Sequence, residues 1–334
     1  MTTVREMGEI GLIDQLARMV AEARLQSPDV PGFRLRLGIG DDAAAWDIGA
    51  GVMVSTTDTM VEGVHFIPAT TPWSDAGWKV MAANLSDLAA MGAAPLCAMV
   101  TLGLPSQLAL SAVEELYEGM LEACTRYRLL LVGGDIVDTP HFFVTVALSG
   151  ACAEVPLTRA SARPGDALAV TGPLGGSAGG LRLLESGAEL GSEWAQALMR
   201  AHRRPTPRVE EGQRLLHAGV RCAMDVSDGL VTDLTKMCRA SGVGARLDAV
   251  RVPVDPALAR TASGDALQLA LNGGEEYELL FAGTSALIER MVTELGRGAV
   301  VGEVTASNPG RVSVVDGEGQ ELSLSAGGWE HLRR

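Results

Sequence analysis

The sequence predicts an α/β or α+β protein of two domains, and three observations lead to this prediction. The chain has 334 residues, whereas a single hydrophobic core rarely grows beyond about 250–300 residues. Segments with the apolar spacing of helices alternate with short apolar or β-branched segments typical of strands. Turn-forming residues, among them Pro156, Pro164 and Gly165, are concentrated in the stretch 155–166 between two strand-like segments.

The elements of the first half follow from these patterns. Helices are predicted over 8–25, 73–91 and 111–127. Strands are predicted over 52–58, 96–104, 129–135 and 142–152. We place the domain boundary near residue 153, which divides the chain into 1–153 and 154–334.

The second half continues the alternation. A strand at 167–172 precedes the glycine-rich turn PLGGSAGG at 173–180, which opens into a helix. A further helix is predicted at 205–219, and MDVSDGL at 224–230 is typical of a strand-to-helix junction. Later strands are predicted for YELLFAG, GAVVGEV and RVSVVDG.

Composition and charge exclude several classes of function. The formal net charge of −14 argues against a general surface for nucleic acid or for anionic membranes, which attract Lys and Arg. Five cysteines without a CxxC pair indicate reduced, buried thiols. The N-terminal segment has no apolar signal-peptide core, so we expect a cytoplasmic protein.

Short acidic motifs are the main indication of chemistry. They are LGIGDDAA (37–44), STTDTMVEGVHF (55–66), NLSDLAAMG (84–92), LVGGD (131–135) and MDVSDGL (224–230). Most of these carboxylates follow apolar runs that resemble buried strands, where an unpaired charge is costly. Converging carboxylates suit Mg²⁺, which is commonly held together with substrate phosphates. The motifs therefore predict magnesium-dependent phosphate chemistry.

Each motif also has an ordinary structural interpretation. Asp58, after Thr56 and Thr57 at a predicted strand end, is either a cation ligand or a turn former. Asp87 lies opposite the apolar stripe of its helix and points either into a cleft or to solvent. Asp42 belongs to a Gly-Asp-Asp sequence that is also common in turns.

The remaining acidic motifs stand beside glycine. Asp135 follows Gly134, where a missing side chain allows a phosphate to approach the backbone. Asp225, Ser227 and Asp228 precede a predicted helix, so they are either an N-cap cluster or ligands at an anion-attracting helix terminus.

Other motifs are less specific. PLGGSAGG could bind phosphate through backbone N–H groups or be a structural turn, and neither a P-loop nor a Rossmann fingerprint is present. The five histidines lack metal-ligand spacing, and a structural hydrogen bond is the default for His65. Arg159 is either a surface residue or a clamp for ATP phosphates.

Taken in order, the acidic motifs together with LTRxxARPGD and GGEEYELLF resemble the thiamine-monophosphate kinases, within the superfamily that includes aminoimidazole ribonucleotide synthetase. The resemblance implies ATP- and Mg²⁺-dependent transfer of a phosphoryl group onto thiamine monophosphate, which yields thiamine diphosphate. It also implies a homodimer whose N-terminal sheets pair across the interface. The domain 1–153 would bind ATP and Mg²⁺, and 154–334 would complete the active site.

The resemblance assigns roles to particular residues. Metal ligands, direct or through water, would be Asp42, Thr56, Thr57, Asp58, Asp87, Asp135, Asp225 and Asp228, of which Asp42, Asp87, Asp135 and Asp225 are counted as catalytic. ATP would contact Gly134, Asp135, Arg159 and Ser227. The thiamine substrate would contact His65, Glu275 and Trp329.

The chain departs from the family pattern in places. Glu276 stands where Asp is common, Ile136 where Thr often follows GGD, and Trp329 where Tyr is usual. Alternatives are another ATP-using enzyme of the superfamily or a catalytically silent nucleotide-binding module. A reactive N-terminal Cys would favour selenophosphate synthetase, but the first cysteine is Cys97; a C-terminal Cys would favour the hydrogenase-maturation relative, but the chain ends Leu-Arg-Arg.

Overall fold

The computed structural model describes residues 2–37, 39, 45–187, 191–261 and 264–322. The chain forms two compact units, the first containing residues 1–88 and 93–155 and the second containing 89–92 and 156–334. Mixed helix and sheet content in both units confirms the predicted fold class. The assignment of functions to 1–153 and 154–334 stays a prediction.

The elements of the first unit are built around a four-stranded sheet. In chain order they are α1 (Val4–Met7), α2 (Glu9–Glu22), β1 (Arg34–Leu37), β2 (Ala45–Asp47), β3 (Val52–Val61), α3 (Trp73–Ala90), β4 (Ala94–Leu104), α4 (Leu110–Tyr127), β5 (Leu130–Asp138) and β6 (Phe143–Cys152). The strand order is β3-β6-β4-β5, with β4 and β5 parallel and the other pairs antiparallel. β1 and β2 form a separate antiparallel pair.

Two glycines set the contact between α3 and α4. A Cβ at Gly77 would lie 1.9 Å from the carbonyl oxygen of Leu116, and one at Gly119 would lie 1.8 Å from that of Ser74. Any side chain at either position would therefore force the helices apart. The helix α3, which carries Asp87 and is buried along most of its length, is thus held close against α4.

The sheet of the first unit has one buried and one partly open face. Along β6, fully buried residues alternate with half-buried ones, as expected when only one face packs against a core. Met53, Met99 and Val137 are exposed apolar residues on these strands.

Two strands run further than the sequence predicted. β3 continues past Asp58 to Val61, and β5 continues past Asp135 to Asp138. The prediction that these two carboxylates end their strands was wrong, because backbone pairing with β6 and β4 extends the ladder through residues that propensity alone disfavours.

The second unit contains a six-stranded mixed sheet. Its elements are β7 (Ala167–Val170), α5 (Gly176–Ser186), α6 (Glu193–Arg203), α7 (Val209–His217), β8 (Cys222–Asp225), α8 (Leu230–Ser241), β9 (Gly244–Asp248), α9 (Ala266–Asn272), β10 (Leu279–Gly283), α10 (Ser285–Leu295), β11 (Ala299–Thr305) and β12 (Val312–Val315). The strand order is β12-β9-β11-β7-β10-β8, in which only β12 and β9 are parallel.

Burial in the second unit explains its apolar strands. Every residue of β7 and β8 is buried, and the core includes Leu168, Leu234, Leu247 and Leu280. The side chains of all five cysteines of the chain are also buried. No helix in the described part of the chain is long and apolar enough to cross a membrane.

Candidate active site

A pair of carboxyl groups marks the candidate site in the first unit. Asp58 on β3 and Asp87 on α3 share a hydrogen bond, and the hydroxyl of Thr56 donates to Oδ2 of Asp87 at 2.5 Å. Thr56 and Asp58 lie two residues apart on one strand and therefore project to the same face of the sheet. Strand alternation and the buried helix together produce this group of oxygen atoms.

The electrostatics of this pair identify the kind of ligand that it suits. Burial, and then the charge of Asp87, raise the pKa of Asp58 to about 7. Two carboxyl groups in contact hold a proton between them until a cation replaces it. The hard oxygen donors and the half-buried setting fit Mg²⁺, so these residues suit the metal that the resemblance implies.

Of the predicted metal ligands in the described part of the first unit, Thr57 and Asp135 lie apart from this pair. Thr57 is exposed and, by strand alternation, lies on the opposite face from Asp58. Gly134 lies in the same register row as Asp58, with Val146 and Val100 on the strands between them. Three strand spacings of about 4.8 Å separate the two ends of that row, which is roughly 14 Å.

Asp135 lies in the next row of the sheet. Its side chain is exposed, and its Oδ1 accepts the backbone N–H of Ile136 at 2.9 Å. Gly134 beside it permits a close strand contact, because a Cβ there would lie 1.9 Å from the carbonyl oxygen of Val100. Strand packing by itself therefore explains why glycine occupies position 134.

His65 makes the structural hydrogen bond that was its default interpretation. Its Nδ1 accepts the backbone N–H of Val61 at 3.0 Å. An imidazole that accepts at Nδ1 carries its proton on Nε2. The ring is thus held in one tautomer, and its Nε2–H is a donor.

Asp42 and Trp329 lie outside the described residues. Within the described ranges, no three or more His, Cys, Asp or Glu side chains form a group that could hold a metal ion. In the described ranges, the predicted carboxylate ligands therefore occur as the pair of Asp58 and Asp87 and as single carboxylates that lie apart from it.

In the second unit, Asp233 organises the loop that carries the predicted ligands. Its Oδ2 accepts the backbone N–H groups of Ser227, Asp228 and Gly229 at 3.0, 2.9 and 3.1 Å. The N-cap residue of α8 is Gly229, which has no side chain with which to cap the helix. Of the two alternatives for Asp225, Ser227 and Asp228, the N-cap cluster was therefore wrong, because a carboxylate from inside the helix binds these N–H groups.

Asp228 forms an ion pair that the sequence analysis missed. The ammonium group of Lys236 donates to Oδ2 of Asp228 and, at 2.7 Å, to Oδ1 of Asp233. Burial lowers the pKa of Lys236, but the two carboxylates outweigh this effect and raise it. Lys236 is one of only two lysines in the chain, and its spacing of i+8 and i+3 from the two carboxylates was a usable signal.

Asp225 is buried at the end of β8, where it pairs in register with Leu279 of β10. Arg159 is exposed, and its carbonyl oxygen accepts the hydroxyl of Ser241 at 2.9 Å. The guanidinium group of Arg159 therefore remains accessible to an anion.

The loop that carries Glu275 is joined to the loop of Ser227. The N–H of Glu275 donates to the carbonyl oxygen of Ser227 at 2.7 Å, and the N–H of Tyr277 donates to that of Val226 at 2.9 Å. Two predicted ligand-contacting residues, one for ATP and one for thiamine, are thus linked by a backbone hydrogen bond.

The glycine-rich turn PLGGSAGG already holds a carboxyl group from the chain itself. Glu276 accepts the N–H of Ser177 at 3.2 Å and is also bonded by the N–H groups of Gly175 and Ala178. Burial raises the pKa of Glu276 to about 8, against the lowering effect of these donors. The N–H groups of the turn bond a glutamate side chain, which favours the alternative of a structural turn over that of a phosphate cradle.

Family models match most of the chain. The AIR synthase related protein, N-terminal domain, matches residues 40–152, and the corresponding C-terminal domain matches residues 163–315. The thiamine-monophosphate kinase of Escherichia coli (strain K12) is 36% identical over 97% of this chain and 98% of its own length. That of Bacillus subtilis (strain 168) is 39% identical over 73% of this chain and 76% of its own.

Solved structures are similar over nearly the whole chain. The thiamine-monophosphate kinase from Stenotrophomonas maltophilia K279a is 35% identical, with a TM-score of 0.79 over 93% of this chain and 96% of that one. AaThiL complexed with AMPPCP and TMP is 29% identical, with a TM-score of 0.77 over 99% of both chains. The hydrogenase maturation protein HypE in complex with ATP, at 20% identity and a TM-score of 0.71, shares the fold.

Proposed function

The chain belongs to the thiamine-monophosphate kinases of the AIR synthase related family, and we propose that it transfers the γ-phosphoryl group of ATP to thiamine monophosphate. The structural observation that carries the proposal is the carboxyl pair of Asp58 and Asp87, bonded by the hydroxyl of Thr56. A protein with a net charge of −14 needs cations to bring two phosphorylated substrates together.

Several Mg²⁺ ions are part of this proposal. The residues that would hold them are Asp42, Thr56, Thr57, Asp58, Asp87, Asp135, Asp225 and Asp228, of which Asp42, Asp87, Asp135 and Asp225 are the proposed catalytic set. When bound, Mg²⁺ supplies positive charge that stabilises the phosphates of both substrates. Asp135 lies on β5, at the opposite edge of the sheet from Asp58 on β3, and this separation supports more than one metal position.

Other residues are proposed to bind the two substrates. Gly134, Asp135, Arg159 and Ser227 would contact ATP, the exposed guanidinium of Arg159 as a donor to phosphate oxygens. His65, Glu275 and Trp329 would contact thiamine monophosphate, with the Nε2–H of His65 as a donor. The carboxylate of Glu275 and the indole of Trp329 suit a cationic ring system.

The proposed transfer is a direct in-line attack by a phosphate oxygen of thiamine monophosphate on the γ-phosphorus of ATP, in which the bond from the γ-phosphorus to the β,γ-bridging oxygen breaks and ADP leaves. That phosphate is already ionised near neutral pH, so the chain needs no strong general base. The described residues act by positioning, since phosphoryl transfer depends mainly on alignment and charge stabilisation. No covalent phosphoenzyme is part of the mechanism.

A cytoplasmic homodimer is also proposed. The exposed side chains of Met53, Met99 and Val137 on the sheet of the first unit support pairing of that sheet with a second copy. The burial of all five thiols suits a reducing compartment. Sedimentation of the purified protein as a monomer at micromolar concentration would contradict the dimer.

The test of the reaction is incubation with ATP, Mg²⁺ and thiamine monophosphate, followed by chromatography for thiamine diphosphate. We expect product that disappears with EDTA and falls about 100-fold or more in Asp87→Asn. Asp138→Asn, an exposed position on β5, is the matched control and should retain the wild-type rate.

Other outcomes separate the alternatives. ATP binding without thiamine diphosphate would indicate another ATP-using enzyme of the superfamily or a catalytically silent module. Wild-type turnover in Asp87→Asn would contradict the assignment of the carboxyl pair while leaving the reaction intact.

A further inference from the structure

Glu275 lies in a turn whose backbone needs outside support. Glu275 and Tyr277 have φ angles of 60° and 52°, in the left-handed region that residues with a Cβ rarely adopt. Their N–H groups are held by Ser227 and Val226, but these bonds fix only the backbone. The orientation of the Glu275 carboxylate must come from contacts of the side chain itself.

Ser177, at the start of α5, connects the residues around this carboxylate. It is almost fully buried, and its backbone N–H donates to Glu276 at 3.2 Å. Its hydroxyl lies 3.2 Å from Nδ1 of His202 in the last turn of α6. Ser177 thus contacts both Glu276, the neighbour of Glu275, and the imidazole ring of His202.

The same imidazole nitrogen faces Glu275. Nδ1 of the buried His202 lies 3.5 Å from Oε2 of Glu275, whose side chain is about one-third exposed (33%). A carboxylate oxygen can only accept a hydrogen bond, so Nδ1 meets it favourably only when it carries a proton. The Ser177 hydroxyl oxygen can accept from the same Nδ1–H. One proton on Nδ1 of His202 therefore satisfies the contacts with both Ser177 and Glu275.

We propose that His202 is a positioning residue that holds the Glu275 carboxylate for the cationic ring of thiamine, with Ser177 fixing the imidazole. The proposal rests on the proposed function, because that function assigns Glu275 to thiamine monophosphate. His202 acts through Glu275 and contacts no substrate. Its loss should therefore weaken the binding of thiamine monophosphate and leave the binding of ATP unchanged.

The experiment compares His202→Leu with His202→Asn in steady-state kinetics. His202→Leu should raise the KM for thiamine monophosphate about tenfold, or roughly 1.4 kcal/mol, the size of one hydrogen bond to a charged group. The KM for ATP should stay within about twofold. His202→Asn, whose amide N–H can replace Nδ1–H, should restore most of the lost affinity.

Two further variants separate positioning from a loss of stability. Ser177→Ala should raise the same KM by about threefold, and it carries the test if His202→Leu does not fold. Ile288→Ala, a buried position in α10, should lower the melting temperature while leaving both KM values unchanged. In a Glu275→Gln background, His202→Leu should add no further increase, because the group through which it acts is already altered.

Several results would overturn the proposal. They are an unchanged KM for thiamine monophosphate in His202→Leu, parallel increases in both KM values, or failure of His202→Asn to restore affinity. An additive effect in the Glu275→Gln background would also contradict it. A wild-type protein that forms no thiamine diphosphate would refute the proposed function together with this inference, whereas an active wild type with any of the preceding results would refute the inference alone.

Discussion

Replacing Asp58 with asparagine should stabilise the metal-free protein at neutral pH. In the absence of a cation, Asp58 shares a hydrogen bond with Asp87 in a half-buried setting, which disfavours two negative charges. An asparagine amide can donate to Asp87 without a charge, and the hydroxyl of Thr56 still bonds Asp87. The variant removes the repulsion and keeps the hydrogen bonds.

The magnitude follows from the difference between the two states of Asp58. Its pKa is 3.8 without the protein environment and about 7 in the folded protein. As the pH rises from about 4 to 7, the unfolded chain loses this proton while the folded protein keeps it, so stability falls through that window. Above pH 7 the free energy of unfolding is lowered by at most roughly 4 kcal/mol, because a difference of one in pKa between the folded and unfolded states corresponds to about 1.4 kcal/mol.

Water that reaches the half-buried carboxyl groups reduces this value. We expect Asp58→Asn to raise the free energy of unfolding by about 1–2 kcal/mol at pH 8 in EDTA. For a unit of this size, that corresponds to an increase of roughly 2–8 °C in the melting temperature. The gain should shrink at pH 4.5, because that pH is less than one unit above the unfolded pKa of 3.8 and only a small part of the loss in stability has developed there.

The assay is thermal unfolding of wild type and variant at both pH values, in EDTA and in excess Mg²⁺. Mg²⁺ should stabilise the wild type and have a weaker effect on Asp58→Asn, because a ligand that binds the folded state raises its stability. Asp138→Asn is the control for the loss of one charge from the same sheet. An Asp58→Asn protein no more stable than wild type at pH 8 in EDTA, or a gain equal at the two pH values, would refute the reasoning.

Two other predictions concern backbone contacts near the proposed ligands. Gly134→Ala should destabilise the protein by about 1–3 kcal/mol in urea unfolding, because its Cβ would lie 1.9 Å from the carbonyl oxygen of Val100. Gly133→Ala, where the nearest neighbouring atom is 3.9 Å away, should cost far less, and equal losses would contradict the explanation. Asp233→Ala should cost about 3 kcal/mol and raise the KM for ATP, since three N–H groups of the loop before α8 lose their acceptor. Asp233→Asn, which keeps an acceptor oxygen, should retain more of both properties, and identical behaviour of the two variants would count against this role.

The order and type of most elements could be predicted because they depend on local patterns. The apolar spacing of 73–91 corresponds to helix α3, and the run 96–104 corresponds to most of β4. Strand ends were predicted less well. Polar residues such as Asp58 and Asp135 resemble ends of strands locally, yet the ladders with β6 and β4 carry the strands past them.

The candidate site was predictable as a set of motifs but not as a set of contacts. Thr56, Asp58 and Asp87 were all singled out from the sequence, and the structure brings them together. Lys236 and Asp233 were missed, because a lysine or aspartate inside a helix usually lies on a solvated face. Both residues lie in α8, where Asp233 binds the backbone of the loop that precedes the helix and Lys236 bonds Asp233.

The sequence by itself determined the alternation of helices and strands, the order of the acidic motifs and the family. These properties are encoded by neighbouring residues, and the resemblance extends along nearly the whole chain. Only the tertiary structure decided that Glu276 occupies the glycine-rich turn and that His202 faces Glu275. Ser177 and Glu276 are 99 residues apart in sequence, and no local pattern specifies which carboxylate reaches a given helix N-terminus. That choice is made by the packing of α5, α6 and the strained turn before β10, which leaves the carboxyl group of Glu276 bonded to the helix and places that of Glu275 beside His202.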